Sequence, residues 1–315
     1  MRLSQIVGSC MLNVEIVHPG PQMSDPAVSF EFFPPGDEAM AQQLWQSVQR
    51  LAPLRPSFVS VTYGADGSTR TRTHEFVQRV LTETDLRVAP HLTCVGASCA
   101  EVLQIAQNYW QLGVRHLVAL RGDAPAANLS ADGRYLPYPS GFAYASDLVQ
   151  GLRQTGDFEV SVAAYPEGHP ESVTVEADLE NLRRKVDAGA RRAITQFFFE
   201  TDLFLRYRDR CAAAGIKANI VPGILPITRF PQMLRFAARC GASVPEWLRR
   251  RFDGLDDDPE TRRIIAANIA IEQVQRLRQH GVDEFHFYTL NRAELVYAIC
   301  HALGIRPQMN EARVA

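Results

Sequence analysis

The chain has 315 residues, with 33 Lys and Arg against 35 Asp and Glu and a formal charge of −2. Hydrophobic residues make up 46% and charged ones 22%, a balance that excludes a disordered chain, a coiled coil and a protein that coats nucleic acid by bulk charge. No stretch reaches the roughly 18 apolar residues of a membrane span. From the N-terminus, residues 1–26 are expected to be a tail: Glu15 interrupts the apolar run, and the part before Cys10 is too short for a leader. Short β-branched or aromatic runs then alternate with longer amphipathic ones. Strands are expected at 28–33, 58–63, 87–94, 116–121, 160–165, 193–199, 217–223 and 284–290. Helices are expected at 38–51, 73–84, 99–112, 143–153, 175–188, 202–214, 231–239, 260–280 and 292–303. Gly113, Gly189, Gly215 and Gly281 follow helical runs as C-terminal caps.

Alternating βα units force parallel strands with helical crossovers, which leaves a closed barrel or an open doubly wound sheet. An open sheet holding a dinucleotide normally carries G-x-G-x-x-G after a strand, and this chain lacks it, as it lacks a P-loop. Eight strands without that fingerprint predict an α/β fold, a single (β/α)8 barrel over 27–307, with 308–315 as a C-terminal tail. Two segments break the rhythm: 124–141, expected to be a long loop after the fourth strand, and 241–259, expected to hold an extra helical turn and a capped helix start. The six cysteines form no C-x-x-C pair and no zinc spacing, which fits a reducing, cytoplasmic setting. The eight histidines show no H-E-x-x-H or i, i+4 pairing, so no metal is expected.

In such a barrel, chemistry gathers where the strands finish. Polar residues stand at those places: Glu31, Thr62 and Tyr63, His91, Arg121 to Asp123, Tyr165 with His169 close behind, Gln196, and Arg292 after the last strand. Glu31 is the sharpest, a carboxylate between Phe30 and Phe32 inside a strand. Desolvation there is expected to raise its pKa and make it a proton donor, the alternative being a buried Glu paired with an Arg. On the helix after strand five, Asp178, Asn181 and Lys185 fall at i, i+3 and i+7 on one narrow stripe. Val175, Leu179, Leu182 and Val186 form the neighbouring apolar stripe. The polar stripe either faces solvent or bonds the sugar and phosphate of a long cofactor.

The segments SFEFFPP, FVSVTYGA, PHLTC, HLVALRGD, YASDL, SVAAYPEGHPE, NLRRKVDAGA, ITQFFF, VPGILPI, FDGLDDD and FHFYTLNRAE occur in this order over about residues 27–307. Together they closely resemble the bacterial methylenetetrahydrofolate reductase family, whose members are flavin-containing (β/α)8 barrels. The resemblance implies FAD-dependent reduction of 5,10-methylenetetrahydrofolate to 5-methyltetrahydrofolate, which supplies methyl groups for methionine synthesis. It implies NADH as co-substrate, with NADPH possible, and ping-pong use of one flavin face. It makes Glu31 the general acid and Asp123 the carboxylate near flavin and pterin, together the catalytic pair. Thr62, Tyr63, Ala65, His91, Arg121, Gly122, Asp123, Tyr144, Ala145, Tyr165, His169, Asp178, Asn181, Arg184 and Lys185 match positions lining FAD. Asp123, Gln196, Gln232, Phe236 and Arg292 match substrate contacts. The implied partners are small molecules only, folate and nicotinamide nucleotide, in a homo-oligomer (dimer or tetramer) with no nucleic acid and no membrane.

Two features depart from the family's shorter members. The loop after Asp123 is longer, and its Tyr135 and Tyr138 either cover the site or sit beside it. The sequence ends at 315, where eukaryotic members continue into a regulatory domain, so inhibition by S-adenosylmethionine is not expected. Two alternatives stay open at this point. One is another FAD barrel of the proline dehydrogenase kind; the other is a non-redox folate or corrinoid methyl-transfer or binding barrel.

Overall fold

The computed structural model describes residues 25–63, 70–123, 129–130 and 135–308. Ala65 and half of the expected 124–141 loop (124–128 and 131–134) lie outside the described residues, as do residues 1–24 and 309–315. Parallel strands β1 (Ala27–Phe32), β2 (Phe58–Val61), β3 (Val88–Thr93), β4 (His116–Leu120), β5 (Glu159–Ala164) and β6 (Arg192–Thr195) pair in sequence order. The seventh stave is split. β7 (Asn219–Val221) pairs with β6, whereas β8 (Gly223–Ile224) pairs with β9 (Glu284–Tyr288), which returns to β1. Pro222 stands between the halves, and its carbonyl accepts from the backbone N–H of His286 at 3.0 Å. A residue without an N–H sits where the ladder changes partner, so the seam of the ring costs no donor. The expected single strand at 217–223 is thus two short pieces that close the barrel.

Helices α1 (Glu38–Leu51), α2 (Arg70–Glu83), α3 (Cys99–Gln111), α4 (Ala145–Leu152), α5 (Val175–Asp187), α6 (Thr201–Ala213) and α7 (Phe230–Cys240) follow strands in turn. The expected extra turn is α8 (Glu246–Phe252). Then come α9 (Pro259–Gln279), capped by Asp258 accepting from the Thr261 N–H at 3.0 Å, and α10 (Ala293–Ala302). Gly113 and Gly281, with φ of +93° and +79°, end α3 and α9 in the left-handed region that glycine enters without strain.

Alternation along each strand separates two cores. Outward residues such as Val28, Phe30, Phe32, Leu117, Val162, Phe285 and Phe287 pack on the helices. The inward set is smaller and largely polar: Phe58, Ala89, Val118 and Ile194 cluster inside, with Ser29, Ser60, His116, Ser161 and His286 fully or almost fully buried. Hydrogen bonds satisfy much of it: Ser29 Oγ lies 2.7 Å from His286 Nδ1, and His116 Nε2 lies 2.8 Å from Ser161 Oγ. At the N-terminal ends of the strands, Arg192 binds both Glu159 and Glu284 and closes the ring. Among the described residues no helix is long and apolar enough to cross a membrane.

Candidate active site

Parallel pairing sends all strand C-termini to one face, and that face carries the predicted polar residues. Glu31 stands one residue before the end of β1, in register with Ser60 and Tyr288, and Asp123 lies three residues past β4. The two therefore share the same rim.

Glu31 is not neutralised by its surroundings. Its side chain is 20% exposed, and Oε2 lies 3.4 Å from His91 Nε2 and 3.6 Å from His286 Nε2. Burial pushes the carboxyl up, as the sequence leads one to expect. Interaction with the two imidazoles, His286 foremost, outweighs burial and brings the group down to about 2. Hydrogen bonding to His286 and then His91 contributes more to that lowering than their charge does. The expectation of a pKa raised by desolvation is therefore corrected: this is a carboxylate inside an imidazole pair. The partners are histidines, not the arginine of the alternative reading. Alternation in FHFY places His286 inward, yet nothing in the sequence shows that it meets Glu31.

Beside this mouth, a cavity of about 740 Å³ opens between β4, β5 and α5. Eleven of the residues expected around FAD line it: Arg121, Gly122 and Asp123 after β4; Tyr144 and Ala145 at the start of α4; Tyr165 and His169 after β5; and Asp178, Asn181, Arg184 and Lys185 on α5. The i, i+3, i+7 stripe therefore faces the cavity, not solvent. Thr174 caps α5, accepting from the Ala177 N–H at 3.1 Å, and the exposed Val175 of the first turn leaves the apolar stripe to begin at Leu179. Asp178 is buried and accepts from Ser172 Oγ at 3.0 Å. Lys185 Nζ donates to the Ala163 carbonyl at 2.9 Å; burial, which Asp178 counters only in part, pulls its pKa down to about 8. Tyr135 also lines the cavity, under the Arg121 guanidinium at 5.0 Å from the ring centroid, whereas Tyr138 does not reach it. Sequence reasoning missed Glu171, Ser172 and Val173 in the cavity wall, although Glu171 closes the quoted YPEGHPE segment.

The remaining expected residues lie elsewhere on the rim. Thr62 and Tyr63 follow β2, and His91 sits beside Glu31, so these three are outside the cavity lining. Gln232 and Phe236 of α7 line a separate shallow recess with Leu225, Met233 and Leu290. Gln196 follows β6, its side-chain oxygen 3.0 Å from the Phe197 N–H. Arg292 is exposed at the start of α10. Among the described residues, no group of three His, Cys, Asp or Glu side chains is placed to hold a metal ion.

The residues fit a long anionic cofactor such as FAD. The cavity has the size for one, three cations converge in it, and Lys185 is a buried ammonium poised to gain from an incoming anion. The buried hydroxyl of Thr93, at the end of β3, has no hydrogen-bond partner among the described residues.

Fold and site together define a (β/α)8 barrel protein with a dinucleotide-sized cavity and a carboxylate between imidazoles on the face where the strands end. Comparison with known proteins gives the particular family. The model of the methylenetetrahydrofolate reductase family matches residues 18–304, and the chain belongs to that family. It is 54% identical to the 5,10-methylenetetrahydrofolate reductase of Pectobacterium carotovorum over 90% of this chain and 91% of that protein. The enzyme of that name from Escherichia coli K12 is also 54% identical, over 89% and 91%. Methylenetetrahydrofolate reductase (NADH) 1 of Arabidopsis thaliana is 34% identical, covering 89% of this chain but 48% of the plant protein. A solved structure of a Clostridium thermocellum protein, described as binding two copies of 5-methyl-5,6,7,8-tetrahydrofolic acid, superposes with a TM-score of 0.60. It covers 89% of this chain and 94% of its own and, at 14% identity, speaks for the fold alone.

Proposed function

We propose that this protein reduces 5,10-methylenetetrahydrofolate to 5-methyltetrahydrofolate at the expense of NADH, with NADPH as a possible substitute and FAD as cofactor. The observation that carries this reading is the convergence of eleven expected cofactor residues on one cavity, on the same face of the barrel as Glu31. Bound FAD supplies hydride acceptance from the nicotinamide and hydride donation to the folate carbon. The chain's own residues bind, orient and move a proton. Arg121, Arg184 and Lys185 would hold the pyrophosphate, and Asp178 and Asn181 the sugar. Asp123 pairs with the amide-like edge of the pterin, and Gln196 offers both a donor and an acceptor to folate or nicotinamide. Gln232, Phe236 and Arg292 reach the substrate from α7 and the rim.

Glu31 delivers the proton that the folate nitrogen takes as the five-membered ring opens. Because the imidazoles hold it ionised in the free site, the acid is the Glu31, His91 and His286 group as a unit. A proton resident on this group passes through the carboxylate as the departing amine draws on it. Substrate that covers the exposed edge of Glu31 deepens its desolvation and raises its pKa in the complex. The protein acts in the cytoplasm, in one-carbon metabolism, as a homo-oligomer.

The test is a pair of anaerobic half-reactions. The purified protein is expected to be yellow, absorbing at about 450 nm as flavins do. NADH is expected to bleach it, and methylenetetrahydrofolate to restore the colour with formation of 5-methyltetrahydrofolate. A colourless protein that binds folate would support the non-redox alternative. Bleaching that folate does not reverse would point to a different flavin barrel.

A further inference from the structure

The cavity wall holds three cations, Arg121, Arg184 and Lys185, and three carboxylates, Asp123, Asp178 and Glu171. A charge-balanced cavity attracts a dinucleotide's pyrophosphate weakly, unless one carboxylate can leave. The three are not equivalent. Asp178 is buried and bonded to Ser172, whereas Asp123 has no salt bridge among the described residues. Glu171 is different: it holds Arg121 by a two-pronged bridge, Nη1 to Oε2 at 2.6 Å and Nη2 to Oε1 at 2.8 Å. Its own side chain is 53% exposed, against 19% for Arg121. The guanidinium is thus the fixed partner, anchored by Nε donating to the Gly122 carbonyl at 3.2 Å and packed over Tyr135. The carboxylate stands on the solvent side, free to rotate into water.

We infer that Glu171 is a displaceable counter-ion. It occupies the anion-recognising edge of Arg121 and competes there with the pyrophosphate of a dinucleotide. By doing so it sets how tightly the cofactor is retained. This rests on the reading of the cavity as the FAD site. It adds a residue that weakens cofactor binding: Glu171 keeps a partly buried arginine paired, and a pyrophosphate that takes this edge must displace it. A bracing role for Glu171 predicts the opposite sign, because removing a brace loosens the arginine and the cofactor with it.

The experiment measures FAD release from the holoprotein by the rise of free-flavin fluorescence on dilution, in wild type, Glu171→Gln, Arg121→Gln and the double variant. Glu171→Gln is expected to release FAD about two- to fivefold more slowly and to bind it correspondingly tighter, the range for an ion pair of this exposure. In the Arg121→Gln background, the same substitution is expected to change nothing. Unchanged or faster release from Glu171→Gln overturns the inference, as does an effect that persists without Arg121. If wild type takes up no FAD, the reading of the cavity fails instead. Thermal melting of each apoprotein confirms that the variants compared are folded.

Discussion

Glu31 Oε2 lies 3.6 Å from His286 Nε2, and that imidazole is in turn pinned by Ser29 Oγ at 2.7 Å from its Nδ1. A fully buried ring held on its far side has little freedom to swing away from the carboxylate. Replacing it with His286→Phe removes the first of the two imidazoles that bring Glu31 down to about 2. Burial then weighs more, and the carboxyl is expected to rise by about a unit or more. Carbon NMR of labelled glutamate, with Glu31 assigned through Glu31→Gln, reads the shift directly. A Glu31 titration unmoved by His286→Phe would mean that His91 alone sets it.

Lys185 gives cofactor binding a pH dependence. Its pKa is lowered to about 8 by burial, with Asp178 raising it and Arg121 lowering it further. A pyrophosphate favours the ammonium, so below about pH 8 the charge is already present. Above that, binding must take up a proton, and FAD affinity falls as pH rises through 8. Titrations of the apoprotein between about pH 7 and 9.5 are expected to show this fall, and Lys185→Met to flatten it.

His116 makes the fold sensitive to acid. Burial lowers its pKa to about 3 from 6.5, with Glu159 opposing and Arg192 adding to the drop. The unfolded chain therefore binds more protons below pH 6.5, and stability is lost as pH falls from about 6.5 toward 3. Between pH 6.5 and 4.5 this amounts to at most about 2–3 kcal/mol. Urea unfolding at both pH values checks it, and His116→Gln, which retains a polar partner for Ser161, is expected to lose less stability on acidification than wild type.

Arg192 stands between Glu159 and Glu284 at the closed end of the barrel. All three side chains are largely buried, with exposures of 17%, 28% and 13%. Arg192→Met leaves Glu284 without its cation and Glu159 with only the exposed Arg87 at 3.7 Å, and a loss of roughly 2–4 kcal/mol in urea unfolding is expected. FAD binding at the opposite face is expected to survive.

Much of this architecture is legible in the sequence because it is local. The eight staves and their helices follow hydrophobic period, and the Asp178, Asn181, Lys185 stripe follows helical spacing, which a single segment reveals. What stays hidden depends on contacts between distant segments. The division of the seventh stave at Pro222 follows from which neighbours its halves meet, and a run of residues does not name them. The ionised state of Glu31 hinges on His91 and His286, delivered by β3 and β9. Flanking phenylalanines pointed to desolvation, but Phe30 and Phe32 face the helices while Glu31 faces the ring. The pairing of Arg121 with Glu171 joins the ends of β4 and β5 and leaves no pattern in either.

The most direct test of the account is Glu31→Gln in the two half-reactions, followed by stopped-flow at the flavin band. Bleaching by NADH needs no proton from this residue and is expected within about twofold of wild type. Recolouring by methylenetetrahydrofolate is expected to slow by at least about 100-fold, the scale of a lost general acid. Recolouring at the wild-type rate, or equal damage to both halves, would contradict it.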